Sequence, residues 1–566
     1  MIGEDFPFNR ETTVYWVQKC PAEEERRVEI AILRGECWYG GCTMWGVQMP
    51  LHAGSEVRLQ LEPNLTPNQA MPLLVSSRGR YLWLEGANEV MFSGGKIYCP
   101  ENTELGSHEQ AWTDEAERAG RGETEAAGCK KAEKARDEAW EKGRGADGQT
   151  LRCAYRRAME RHFPFSGKMP AQELFRAPVF NTWIELTFDQ NQRDVLRYAH
   201  GILESGFAPG VLMIDDGWAE CYGDWRFHTG RFPDPAGMLR ELHGLGFRVM
   251  LWVCPYVTPD SRACREAAEQ GLLLRNKAGE LFIAAWWNGF SAALDLGKPA
   301  ARDWLRAQLE ALCALGVDGF KFDGGDPAHY VGAAGAATPN GMARLWAEFG
   351  ERWPFNEYRA GWKAGGRPLL QRLCDKDHSW GEAGLAALVP DLLAQGITGH
   401  PFGCADLVGG GEYRNFWQNA DRLDGELVVK HSAVSCLTPT IQFSAAPWRV
   451  LDPGQLGCIH AQLALRSSWQ AYLEETLKEC ARTGEPAVRY MEYEFPHQGM
   501  ERVRDQFMLG GRLLVAPILE KGQDARNVYL PRGEWRWEGR TLHSEGEMRR
   551  LAAPGTFLVV LERLRA

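Results

Sequence analysis

Residues 319–326, GFKFDGGD, carry a carboxylate, Asp323, from a short apolar run straight into a glycine turn. Val317, Phe320 and Phe322 read as a buried parallel strand, and Gly324-Gly325 as the break where the chain leaves the sheet. At the mouth of an α/β barrel, the loops after the strands build the active site, so an acid there is placed for chemistry. An isolated FDGG is about as often a solvated turn, and the rest of the chain shifts that balance. Asp215-Asp216 precede Trp218, Trp252 ends a strand-like run, Trp286-Trp287 precede an extended stretch, and Asp326, Asp375 and Asp406 follow similar runs. Gathered at one rim, such acids crowd like charges together unless a substrate or a cation uses them.

Two chemistries use converging carboxylates with aromatic walls. A divalent-metal barrel enzyme needs roughly three acids on one ion plus a lysine or histidine base, and Lys321 and His378 keep that reading open. A retaining glycosidase needs one nucleophile and one proton donor roughly 5 to 5.5 Å apart. The 22 tryptophans and 24 phenylalanines serve core packing, and their faces also stack on sugar C–H groups.

The elements that must position these residues follow from pattern. Short alternating runs before residue 101 (TVYWVQ, RVEIAILRG, EVRLQLEP, GRYLWLEG, EVMFSGGKIY) predict an antiparallel β-sandwich. Residues 104–148 turn abruptly to Glu, Ala, Lys, Arg and Gly, which supply no buried face and read as an exposed helical or disordered insertion. An amphipathic helix is expected over 151–163. From residue 178 to about 468, strand-like segments (VFNTWIEL, VLMID, FRVMLWV, GFKFD, PLLQRLC, GITGHPF, PTIQFS) alternate with helices over 190–205, 235–245 and 300–315, predicting a (β/α)8 TIM barrel of the α/β class. β-signals return from about residue 488 as a second sandwich. The expected division is 1–170, 171–470 and 471–566. No G-x-G-x-x-G follows the first strand, so a dinucleotide is not indicated.

With 566 residues, 44% of them hydrophobic, the chain is long enough for several packed cores. The net charge of -11 is spread along the sequence, which gives neither a nucleic-acid surface nor a polybasic membrane anchor. No leader pattern and no membrane-length apolar run is present, so a soluble, cytoplasmic protein is expected. Fifteen cysteines without a C-x-x-C pair argue against a disulfide framework or structural zinc, Cys37 and Cys42 being the nearest pair.

The chain resembles glycoside hydrolase family 31 over nearly its whole length, from GECWYGG to DQFMLGGRLLVAPIL. The resemblance implies that Asp323 is the nucleophile and that Asp375, in DKDHSW with Trp380, is the acid/base, with Asp377 as second choice. Arg359 lies 375 − 359 = 16 residues ahead of Asp375, the family's interval for a substrate-binding arginine. By the same resemblance Asp215 meets the terminal sugar's hydroxyls, Trp287 walls that subsite, and Asp406 belongs to the seventh-strand motif. Asp216, Trp252, Lys321, Asp326 and Trp380 complete the expected substrate-binding set, with no cofactor or metal.

The starch-cleaving branch carries D-M-N-E at the nucleophile and G-D before the acid/base, whereas DGGD and CDKD stand here. GECWYGG, NTWIEL, KFDGGD and DKDHSWG look closer to the branch containing the myogenesis-regulating glycosidase, which acts on α-galactosides. The resemblance thus implies a retaining exo-acting α-glycosidase, with an α-galactoside ahead of an α-glucoside and an oligosaccharide or α-glycoside as partner. Transglycosylation, sulfoquinovoside hydrolysis and a non-catalytic sugar-binding role stand as alternatives, and a homo-oligomer is compatible with the sequence.

Overall fold

A computed structural model describes residues 27–107 and 149–565. The TVYWVQ segment and the charged insertion beyond residue 107 lie outside the described residues. Eight parallel strands close into a barrel: β1 (Val179–Asn181), β2 (Val211–Ile214), β3 (Arg248–Val253), β4 (Gly319–Phe322), β5 (Phe355–Tyr358), β6 (Gln371–Arg372), β7 (Gly403–Val408) and β8 (Thr440–Phe443), with β8 pairing back onto β1. The covering helices form where the sequence stops and starts them. Gln192–Glu204 is capped by Asn191, whose side chain accepts the Asp194 N–H, and buries Val195, Tyr198, Ala199 and Ile202 along one face. Pro299–Leu315 opens on proline, buries Leu305, Leu309 and Leu312, and ends at Gly316 with φ 121°.

An antiparallel pair of sheets precedes the barrel. A four-stranded sheet (Arg27–Ala31, Lys96–Pro100, Glu89–Ser93, Val57–Gln60) and a larger sheet built on Cys37–Cys42 and Gln69–Ser76 share one apolar core, to which Leu59, Phe92, Trp38 and Leu74 contribute. The helix Leu151–His162 follows, capped by Thr150. After the barrel, six- and two-stranded sheets bury Leu514, Val528, Trp535 and Val559 between them. Among the described residues no helix is long and apolar enough to cross a membrane.

Several expectations need correction. GITGHPF is not a strand: Ile397 ends the helix Leu385–Ile397, and the seventh strand is the next segment, Gly403–Val408. VFNTWIEL is extended only to Asn181, because Trp183–Leu186 turns into a short helix with the Trp183 N–H on the Asn181 side chain. FNEY is a barrel strand that the apolar pattern missed. Glu104–Gly106, placed with the insertion, is instead a strand paired with Tyr81–Trp83. Cys37 and Cys42 are buried free thiols, not a disulfide.

Candidate active site

Side-chain alternation decides which residues enter the barrel mouth. On β4, Phe320 and Phe322 pack outward against Trp353, and Phe322 also meets Trp346, so Lys321 and Asp323 face inward. The glycine pair that follows has φ 65° and 72°, and a Cβ on Gly325 would lie 2.5 Å from Trp346. No larger residue fits that turn without displacing the core. Asn356 and Tyr358, which donate to the Trp353 and Trp346 carbonyls, flank Glu357 on β5, which points inward, toward Arg372 and Gln442.

Asp323 is 7% exposed. It accepts the Trp252 indole N–H at 3.0 Å on one oxygen, and the Arg359 Nε–H at 3.1 Å and the Gly324 N–H at 2.9 Å on the other. The Lys321 ammonium stands 3.7 Å away and donates to Asp215 at 2.7 Å, as Asn181 does at 2.8 Å. Arg359 also forks onto both oxygens of Asp326 at 2.9 and 2.8 Å, and its guanidinium lies 4.8 Å over the Trp287 ring. Burial acts to raise the Asp323 carboxyl, but the Arg359, Lys321 and Arg372 charges and the Trp252 bond outweigh it and hold it well below the usual carboxylate range.

A second group surrounds Arg372, whose Nη1 donates to Asp375 and to Asp406, each at 2.6 Å. Arg372 is sealed inside the barrel, while the Asp375 side chain is 36% exposed. The loop after β6 is anchored on its buried side: Lys376 donates to Asp391 at 2.6 Å, and His378 bonds the Gly409 carbonyl at 2.8 Å while its Nε2 accepts the Asp424 N–H at 2.9 Å. Those anchors leave Asp375 toward the mouth. Asp406 sits in the left-handed region at φ 67°, where the β7–β8 register shifts, a conformation costing about 1–3 kcal/mol. It is held there by the Lys376 and Gly411 N–H groups at 2.7 and 3.1 Å. Burial pushes its carboxyl up to about 7 against the pull of Arg372, and Asp375 adds to the rise. Arg359 and Arg372 each feel both Asp323 and Asp375, so these two cations link the two groups.

Asp216 forms a third corner with Tyr222, whose hydroxyl donates at 2.8 Å, and Asn288, whose amide donates at 2.6 Å. Burial pushes Asp216 up to about 7 despite the Tyr222 bond, with Asp215 adding repulsion. Of the expected residues, Asp215, Trp252, Trp287, Lys321, Asp323, Asp326 and Arg359 thus form one bonded network, and Asp375 and Asp406 a second. Trp380 is engaged elsewhere, its indole N–H on Asp424 at 3.0 Å and its ring beneath the Lys430 and Lys521 ammonium groups. His378 orders the loop, and Lys321 is spent on Asp215, so neither is placed as the base of a metal enzyme. Among the described residues no three His, Cys, Asp or Glu side chains are grouped to hold a metal ion. Sequence reasoning missed Asn181, Tyr222, Asn288 and Arg372. Arg372 had a signal: a cation in the largely apolar run PLLQRLC, three residues before a candidate acid.

A closed parallel barrel with acids, tryptophans and arginines at the carboxyl ends of its strands is a TIM barrel whose polar side chains gather at the face where such barrels build their sites. The chain belongs to glycosyl hydrolase family 31: the family's TIM-barrel model matches residues 178–457 and its C-terminal domain model residues 484–560. The mouse myogenesis-regulating glycosidase is 35% identical over 406 residues, covering 69% of this chain and 56% of that protein. The α-xylosidase XylQ of Lactiplantibacillus pentosus is 26% identical over 381 residues, covering 63% and 49%. The chain spans about half the length of the curated relatives it matches. Among solved structures, a Flavobacterium johnsoniae GH31 dextranase complexed with glucose superposes with a TM-score of 0.74 at 17% identity, over 95% of this chain and 66% of that one. That likeness bears on the fold.

Proposed function

We propose that the chain is a retaining, exo-acting α-glycosidase in which Asp323 is the nucleophile and Asp375 the acid/base. Asp323 attacks the anomeric carbon as Asp375 gives its proton to the departing glycosidic oxygen, leaving a glycosyl-aspartate. Asp375 then takes a proton from water, whose oxygen displaces Asp323 and releases the sugar. The observation that carries this reading is the convergence of cations on Asp323, with the Arg359 guanidinium bonded to it at 3.1 Å and the Lys321 ammonium 3.7 Å away. Three cations, Lys321, Arg359 and Arg372, converge on it, while Asp216, Glu357 and Asp406 nearby are pushed upward by burial. A nucleophile needs that arrangement; a structural turn aspartate does not. Asp215 and Asp216 are assigned to the sugar hydroxyls, with Trp287 and its underlying Arg359 as one wall.

The motif resemblance supports an α-galactoside as first substrate and an α-glucoside as second. A panel of 4-nitrophenyl α-glycosides (galactose, glucose, xylose, N-acetylgalactosamine, sulfoquinovose), assayed with and without chelator, tests the reading. The α-galactoside is expected to turn over fastest, with the chelator without effect. Asp323→Asn is expected to lower kcat by about 10⁴-fold or more while the variant still binds sugar. Hydrolysis of β-anomers alone, or full activity in Asp323→Asn, would overturn it.

A further inference from the structure

Strands β5 and β6 are joined without a covering helix. Between Tyr358 and Gln371 the chain makes only the short strand Gly361–Trp362, which pairs in parallel with Gln69 and Ala70 of the N-terminal sheet. The place of the absent helix is taken by two fully buried carboxamides from that sheet. Gln69 Nε2 donates to the Arg359 carbonyl at 2.6 Å and to the Arg372 carbonyl at 3.0 Å. Asn68 Nδ2 reaches the same two carbonyls at 3.3 and 3.4 Å, and its Oδ1 accepts the Cys374 N–H at 3.1 Å. The Arg359 guanidinium also donates to the Pro67 carbonyl. Gln69 is itself fixed, because Gln395 of the helix Leu385–Ile397 donates to its Oε1 at 3.2 Å and to the Gln371 carbonyl at 3.0 Å.

We propose that Asn68 and Gln69 are positioning residues for the reaction, so that the N-terminal sheet completes the active site. The inference rests on the roles given above to Arg359 and Asp375. Polar contact is ordinary between domains of one chain; what distinguishes these groups is the part of the barrel they hold. Here the polar groups meet the main chain at the three points that aim the reacting groups: the carbonyl of the arginine that grips Asp323, the carbonyl of the arginine that grips Asp375, and the N–H of Cys374, the residue before Asp375. Removing the donors leaves two buried carbonyls unpaired and lets the ends of β5 and β6 separate, and a shift on the order of 1 Å at reacting groups costs about 10²-fold in rate.

Gln69→Leu and Asn68→Ala test this by two readouts. Hydrogen–deuterium exchange of peptides spanning residues 355–376 is expected to rise in both variants relative to peptides of β1 to β3. On the best α-glycoside of the panel, kcat is expected to fall about 10- to 100-fold with KM changed less than about 3-fold. The acid limb of the kcat/KM profile should also move to higher pH in Gln69→Leu, because Arg359 no longer holds Asp323 as firmly. A lowered melting temperature with unchanged local exchange, unchanged kcat and an unmoved acid limb would reduce both residues to packing and overturn the inference. If Gln69→Leu does not fold, Asn68→Ala, which loses the longer bonds, carries the same comparison. The two readings fail separately: a wild-type chain inactive on every α-glycoside contradicts the proposed function, whereas an active wild type with equally active variants contradicts only the positioning role.

Discussion

Two carboxyl groups at this barrel mouth are pushed in opposite directions by what surrounds them. Asp323 meets Arg359 and Lys321, whereas Asp216 meets the neutral donors Tyr222, Asn288 and the Gly217 N–H, and burial with Asp215 beside it outweighs them. The pH dependence of stability follows with opposite signs. Asp323, held below its unfolded value of about 3.9, stabilises the fold above that pH, and the contribution is lost as pH falls below it. Asp216, raised to about 7, binds its proton more tightly in the folded chain, so stability falls as pH rises from about 4 to 7. Asp216→Asn is expected to remove about 1.4 kcal/mol per pH unit of that decline, measured by urea unfolding at pH 5 and pH 7. An unaltered difference between the two pH values would show that Asp216 titrates normally.

At the scale of elements, the loop after β6 presents Asp375 because its neighbours are tied down on the other side. Lys376, in that loop, and Asp391, on the largely apolar and buried helix Leu385–Ile397, are a buried pair, 6% and 2% exposed at their side chains. Lys376→Met leaves Asp391 uncompensated and is expected to cost about 3–5 kcal/mol. Adding Asp391→Leu should recover most of that stability in denaturant titrations. A double variant as unstable as the sum of the two singles would mean the pair does not act as a unit. The same elements explain what was legible in the sequence. Apolar runs such as VLMI and RVMLWV announced β2 and β3, whereas FNEY hid β5 because its polar groups are used internally. Asn356 donates to the Trp353 and Pro368 carbonyls and Glu357 accepts from Arg372 and Gln442, against the apolar rule for parallel strands. The seventh strand was hidden similarly, because Asp406 interrupts its apolar run where the register on β8 shifts between Cys404 and Leu407.

Across the whole molecule, the barrel brings together acids that the sequence keeps apart, and their positions at strand ends were readable from local motifs. Their partners were not. Arg372 reaches Asp406 on the next strand, 34 residues on, and Gln69 reaches Arg359 from 290 residues away; neither contact leaves a spacing that a linear reading can detect. Closure of the barrel is therefore what gathers a row of turn aspartates into two networks linked by Arg359 and Arg372, and the roles proposed for Asp323 and Asp375 depend on it. A fluorinated α-glycosyl fluoride that stalls after the first displacement measures this most directly, by mass spectrometry of the digested, inactivated protein. The account predicts one sugar per chain, bound through an ester to Asp323. A label on Asp375 or any other residue, or turnover with inversion and no label, would contradict it.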